Sequence, residues 1–89
     1  MVYVGTIEYR FRNMIMFHMA SPDVEELHKM ADSIGIKRKW FQGKEPHPHY
    51  DICKSKKQLA MKLGAVEIND RELIKLCFPV LRALMEKGK

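Results

Sequence analysis

Two apolar runs open the chain. Val2-Tyr3-Val4-Gly5-Thr6-Ile7 and Met14-Ile15-Met16-Phe17-His18-Met19-Ala20 are short and rich in β-formers. The second is apolar on both sides of the pleat, which predicts a central strand covered on both faces. Ser21-Pro22-Asp23 then supplies an N-cap, a proline for the first helical position and an acid for the first turn. Val24, Leu27, Ala31 and Ile34 follow at helical spacing, and Gly35 ends the helix. Lys39 to Gln42 and His49 to Cys53 each have the length of a short strand, on either side of a loop in which Gly43, Pro46 and Pro48 prevent regular structure. Ser55-x-x-Gln58 forms a capping box ahead of Leu59, Ala60 and Leu63, with Gly64 as the stop. Ala65 to Ile68 predicts a further strand and Asn69-x-x-Glu72 a second capping box. Leu73, Leu76, Cys77, Val80, Leu81 and Leu84 form the apolar stripe of a last helix, kinked at Pro79. The order β-β-α-β-β-α-β-α predicts a small α/β domain over residues 1–89, a mixed sheet with three packed helices and a C-terminal helical extension at 77–89. The pattern leaves the strand order open.

Charge changes this picture because it is local. The chain carries 16 Lys and Arg against 11 Asp and Glu, but residues 37–62 hold eight basic residues against two acids, a net +6, while the remainder nets −1. A phosphate-bearing ligand or a nucleic acid is the natural partner of such a segment. The longest apolar run, Met14 to Ala20, is interrupted by His18 and too short to span a bilayer, and the N-terminus has no signal-peptide pattern. No membrane association is expected, and the protein reads as cytoplasmic. Cys53 and Cys77 form no Cys-x-x-Cys pair and are expected as free thiols.

Chemistry concentrates between residues 47 and 57. On an extended strand His47, His49, Asp51 and Cys53 point to one side while Tyr50 and Ile52 point to the other, toward a core. His47, His49 and Cys53 offer three donors where a structural zinc site wants four, so neither a metal nor another cofactor is expected from this spacing. His18, on the central strand, and His28, beside the buried stripe of the first helix, are directed inward and predict a shared pocket wall with His49 and Asp51. In that pocket His49 serves as general acid or base and Asp51 orients it. Ser55, Lys56 and Lys57 at a helix start have the composition of an anion cradle, although no glycine-rich P-loop accompanies them. Lysines there oppose the helix dipole, so Lys57 reads as a residue kept for binding at no gain in stability. Trp40, and Tyr50 of the His-Tyr-Asp motif, complete the expected ligand contacts. The leading expectation is binding of a nucleotide or nucleic acid at this basic helix N-terminus. The alternatives are a small nuclease or nucleotide-processing enzyme using His18, His28, His49 and Asp51, and a phage-type module that binds a protein partner without catalysis.

Several separated motifs resemble one family. Phe17-His18-Met19, Glu26-Leu27-His28-x-Met30-Ala31-Asp32, Ile34-Gly35, Trp40-Phe41-Gln42, His49-Tyr50-Asp51-Ile52, Ser55-Lys56-Lys57 and Gly64-Ala65-Val66-Glu67 are similar, in this order, to the bacterial and phage domain of unknown function 4031. The resemblance spans residues 2 to 76 and implies no activity. Similar members place acidic residues after the first Val-Tyr-Val, where this chain has Gly5-Thr6.

Overall fold

A computed structural model describes residues 1–44, 48–78 and 83. Its centre is β3, Met14–Ala20. On one side β4 (Tyr50–Cys53) pairs antiparallel with it, Met16 facing Cys53 and Met19 facing Tyr50. On the other side two strands share its length: β2 (Tyr9–Phe11) faces Met14 to Met16, and β1 (Tyr3–Val4) faces Met19 and Ala20. Beyond β1 the short β5 (Val66–Glu67) adds in parallel. The sheet is therefore mixed and five-stranded, and the central position expected for Met14 to Ala20 is the one it holds.

Register exposes a bulge. Val4 pairs with Met19 and Tyr9 with Met16, so the four residues Gly5 to Glu8 lie opposite only Phe17 and His18. The extra residues bend the strand away from the ladder and free its amides, as β-bulges near functional sites do. After this interruption the chain resumes as β2 and returns through Arg12 and Asn13, with Arg12 at φ 58°. The sequence pattern does not predict this strand, because its apolar-polar-apolar alternation covers only Tyr9, Arg10 and Phe11, all of them exposed. Its pairing with β3 alone makes it extended.

The two sheet faces are covered unequally. Val4, Phe17, Met19, Tyr50 and Ile52 meet Leu27, Ala31 and Ile34 from α1 (Val24–Ser33) and Ala60 from α2 (Lys54–Lys62) in the main core. A fully buried leucine such as Leu27 contributes about 2 kcal/mol to that core. On the opposite face, Ala20 packs with Leu73, Cys77 and Phe78 from and beyond α3 (Asp70–Cys77). By the pleat, His18 and Asp51 belong to this second face.

Local signals were mostly used as expected, with instructive exceptions. Asn69 caps α3 by accepting the Glu72 amide at 2.9 Å, and Gly35 and Gly64 follow their helices at φ 80° and 112°. At α1 the cap is Asp23, not Ser21: its carboxylate takes the Glu25 and Glu26 amides, while the Ser21 hydroxyl is drawn away to donate to the Met1 carbonyl. At α2 the helix begins two residues early and Cys53 holds the cap position, so Ser55 lies inside the first turn and the Ser55-x-x-Gln58 box does not form. Lys39 to Gln42 is no strand; Arg38–Trp40 is a 3₁₀ turn, and a single bridge joins Gln42 to His49. His47, the kink at Pro79 and the stripe residues Val80, Leu81 and Leu84 lie outside the described residues. No described helix is long and apolar enough to cross a membrane.

Candidate functional site

Cross-strand pairing sets His18 of β3 directly opposite Asp51 of β4. His49, two residues before Asp51, shares its face and is buried. The two imidazoles converge on one oxygen: Asp51 Oδ1 is 3.6 Å from His18 Nε2 and 3.3 Å from His49 Nε2, and the rings lie 4.6 Å apart. The other oxygen, Oδ2, accepts from Gln42 Nε2 at 2.6 Å. Gln42 is itself positioned by its two backbone hydrogen bonds with His49, at 2.9 and 3.0 Å. The hydrogen bond with His49 holds the Asp51 carboxyl below its ordinary range; burial opposes this, and the charges of His49 and His18 and the Gln42 amide reinforce it.

That shift has a sign. A carboxyl whose folded pKa lies below its unfolded value of about 3.9 stabilises the fold above that pH and loses the contribution as pH falls through the folded value. The melting temperature of Asp51→Asn is therefore expected to fall less than that of the wild type on acidification below about pH 4. Parallel melting profiles across that range would remove Asp51 from the acid response.

The row of charged groups continues on the far side of His18. Asp70, the first residue of α3 and 6% exposed, places Oδ2 3.4 Å from His18 Nδ1. Its Oδ1 accepts the bulge amides of Thr6 and Ile7 at 2.9 and 3.0 Å. A side chain at residue 5 would collide with this carboxylate, so glycine is required there for close approach and not for its φ. Where this chain has Gly5-Thr6 after the first strand, the backbone meets a carboxylate that comes from α3. Tyr9 stacks on the His18 ring with centroids 4.4 Å apart, and its hydroxyl lies 3.4 Å from Asp70 Oδ2. Burial, followed by the charge of Asp70 and this hydrogen bond, raises the Tyr9 phenol above its usual value. The sequence signals for Asp70, Tyr9 and Gln42 were weak. Asp70 reads as an ordinary first-turn acid of a capped helix, and only the bulge register brings it to His18.

Other expected residues go elsewhere. His28 is across the sheet: its Nδ1 is 2.7 Å from the hydroxyl of Tyr50, a fully buried core residue, so neither joins the cluster. Phe41 closes over this pair, 4.6 Å from the His28 ring. Lys57 is 7% exposed, and its ammonium donates to the Gly5 carbonyl at 2.8 Å, pairs with Glu67 at 2.7 Å and lies 4.0 Å from the Phe17 ring centroid. Lys56 donates to the Ile34 carbonyl at the end of α1, at 2.7 Å. The expected cradle at the start of α2 has therefore committed these two ammonium groups to the fold. The helix start instead meets the chain's own Cys53, whose thiol is drawn below its ordinary pKa first by the Ser55 hydroxyl; burial opposes this, and the backbone amides at the helix start reinforce it. Trp40 is exposed beneath Lys39. Cys77 is also a free thiol, pushed up to about 11 by burial. A surface groove of about 580 Å³ beside Met1, Glu26, Met30 and Leu63 shares no residue with the His/Asp cluster.

No curated protein and no solved structure matches the chain significantly. One family model does, over residues 2–78, and its description is "Protein of unknown function (DUF4031)".

Proposed function

We propose that this chain, which belongs to the DUF4031 family and takes no assigned activity from it, is a small hydrolase of phosphate esters whose centre is His18, His49 and Asp51. The observation that carries the reading is the convergence of two imidazole nitrogens on a single carboxylate oxygen. Water attack on phosphorus needs a group to activate the water, a group to serve the leaving oxygen and positive charge for the phosphoryl oxygens. Imidazoles held by carboxylates are suited to all three at neutral pH. Asp51 orients both rings, Gln42 orients Asp51, and Asp70 presents His18 in a defined direction.

An anionic substrate is favoured by the charge of the segment that contains β4. Within it, Lys37, Lys39, Lys44 and Lys54 are exposed and contribute to the positive potential that would attract nucleotides or nucleic acid. Binding of such a ligand without turnover, at the start of α2, has less support because Lys56 and Lys57 are occupied.

The test is a substrate panel: p-nitrophenyl phosphate, bis(p-nitrophenyl) phosphate, a nucleoside triphosphate, and single- and double-stranded oligonucleotides, each with and without a divalent metal salt. Turnover of at least one class is expected, falling about 100-fold or more in His49→Ala. A protein inactive on the whole panel, or a His49→Ala variant as active as the wild type, would sink the proposal.

A further inference from the structure

We infer that His18 Nε2, His49 Nε2 and Asp51 Oδ1 form a binding site for one divalent transition metal, with zinc as its natural ion. One ligand atom from each of the three residues lies within 4.8 Å of the other two. Two of the separations, 3.6 and 3.3 Å, end on the same carboxylate oxygen. Metal bonds of about 2.0–2.2 Å in tetrahedral array place neighbouring ligand atoms about 3.3–3.6 Å apart. The cluster is thus close to the spacing of a metal triad, with little movement needed to admit the ion. Two imidazoles and one carboxylate, the three donors found among the described residues, are the protein donor set of catalytic rather than structural zinc.

The surroundings are those a metal centre uses. A ligating imidazole is oriented when its other nitrogen faces a carboxylate or carbonyl, and a ligating carboxylate when its free oxygen is hydrogen-bonded. His18 Nδ1 faces Asp70 Oδ2 at 3.4 Å, which turns Nε2 toward Asp51. Gln42 holds Asp51 Oδ2 at 2.6 Å and leaves Oδ1 directed at the imidazoles. Asp70 in turn is held by the Thr6 and Ile7 amides, so the outer groups are anchored in backbone. Cys53 is not part of the triad, and its spacing from His49 was a poor guide to it. The inference deepens the hydrolase reading and rests on it for the role of the ion alone: with the Nε2 atoms of both rings held by the metal, the ion would supply positive charge to a phosphoryl group and lower the pKa of the attacking water, replacing the proton-transfer roles of the two imidazoles.

The experiment measures binding and turnover separately. Chelator-treated, dialysed protein is titrated with Zn(II) and with Co(II), followed by calorimetry, elemental analysis after gel filtration and visible absorption of the cobalt form. Uptake of one ion per chain is expected, with a cobalt spectrum of low coordination number and a raised melting temperature. Gln42→Ala, an exposed position whose loss leaves the fold intact, should weaken affinity about 10-fold. His49→Gln should abolish stoichiometric uptake while far-ultraviolet circular dichroism stays that of the wild type. No uptake by the wild type, or equal uptake by wild type, Gln42→Ala and His49→Gln, overturns the metal site. Turnover that survives chelation alongside absent uptake would discard the metal and keep the hydrolase, whereas specific uptake without turnover on any substrate would keep the metal and discard the hydrolase.

Discussion

Lys57→Ala melts about 10–20 °C below the wild type, a loss of about 2–3 kcal/mol in a domain of this size. The ammonium is the hydrogen-bond donor to the Gly5 carbonyl and the ion-pair partner of Glu67. Removing it leaves an acceptor without its donor beneath the sheet and removes a side-chain stem from the core. Glu67 is 43% exposed and regains water, which keeps the cost below that of breaking a fully buried pair. Lys57→Met should recover part of the loss, because it restores apolar contact with Phe17 but not the donor. The outcome reverses the expectation from helix-dipole reasoning, under which removal of a first-turn lysine is neutral or stabilising. Thermal and urea melts of both variants decide it; a Lys57→Ala protein as stable as the wild type would show that the ion pair and hydrogen bond contribute nothing.

Asp70→Ala costs about 2–4 kcal/mol and disorders the bulge. Its carboxylate takes two backbone amides that the bulge has removed from the ladder, and without it Thr6 and Ile7 have donors in a part-buried place with no acceptor. Amide hydrogen exchange at Thr6 and Ile7 should accelerate relative to Val4, which remains in β1. Asp70→Asn separates structure from chemistry. The amide oxygen can still accept from the backbone, so most stability is retained, but its neutral NH₂ no longer offers His18 Nδ1 an anionic acceptor. Turnover and zinc affinity should therefore fall in Asp70→Asn more than stability does. If Asp70→Ala melts like the wild type and exchanges no faster, the carboxylate does not support the bulge.

Lys57 and Asp70 hold the same short segment from opposite faces. Lys57 reaches Gly5 from the side of Phe17 and the main core, while Asp70 reaches Thr6 and Ile7 from the side of His18. This explains how a two-residue irregularity persists beside the cluster: its freed polar groups are matched by two buried charged side chains from different helices. Rigid support of this kind keeps His18 at a constant distance from Asp51, which a proton-transfer or metal site requires.

Much of the architecture was readable from short-range pattern. Helical spacing after residue 23, the Asn69 cap and the glycine stops at 35 and 64 are local matters of backbone geometry and nearby hydrogen bonds, and they came out as expected. The same is true of the pleat that sends Tyr50 and Ile52 into the core and His49 and Asp51 to the other face. Where two local caps competed, distant partners decided: Ser21 went to Met1, and Asp23 took the helix. Strand β2 depended on pairing with β3, since its three residues are mostly exposed and too few to set a pattern. The site followed the same division. His18, His49 and Asp51 were visible as residue types, but their meeting required the register of β3 against β4, which set His18 opposite Asp51 and left His28 behind the sheet with Tyr50. Asp70 and Lys57 were assigned by contacts spanning more than fifty residues, Thr6 to Asp70 and Gly5 to Lys57. Sequence spacing carries information about neighbours along one element, where geometry is repeated; a charge that settles on another strand's backbone is chosen by the free energy of the whole packed sheet.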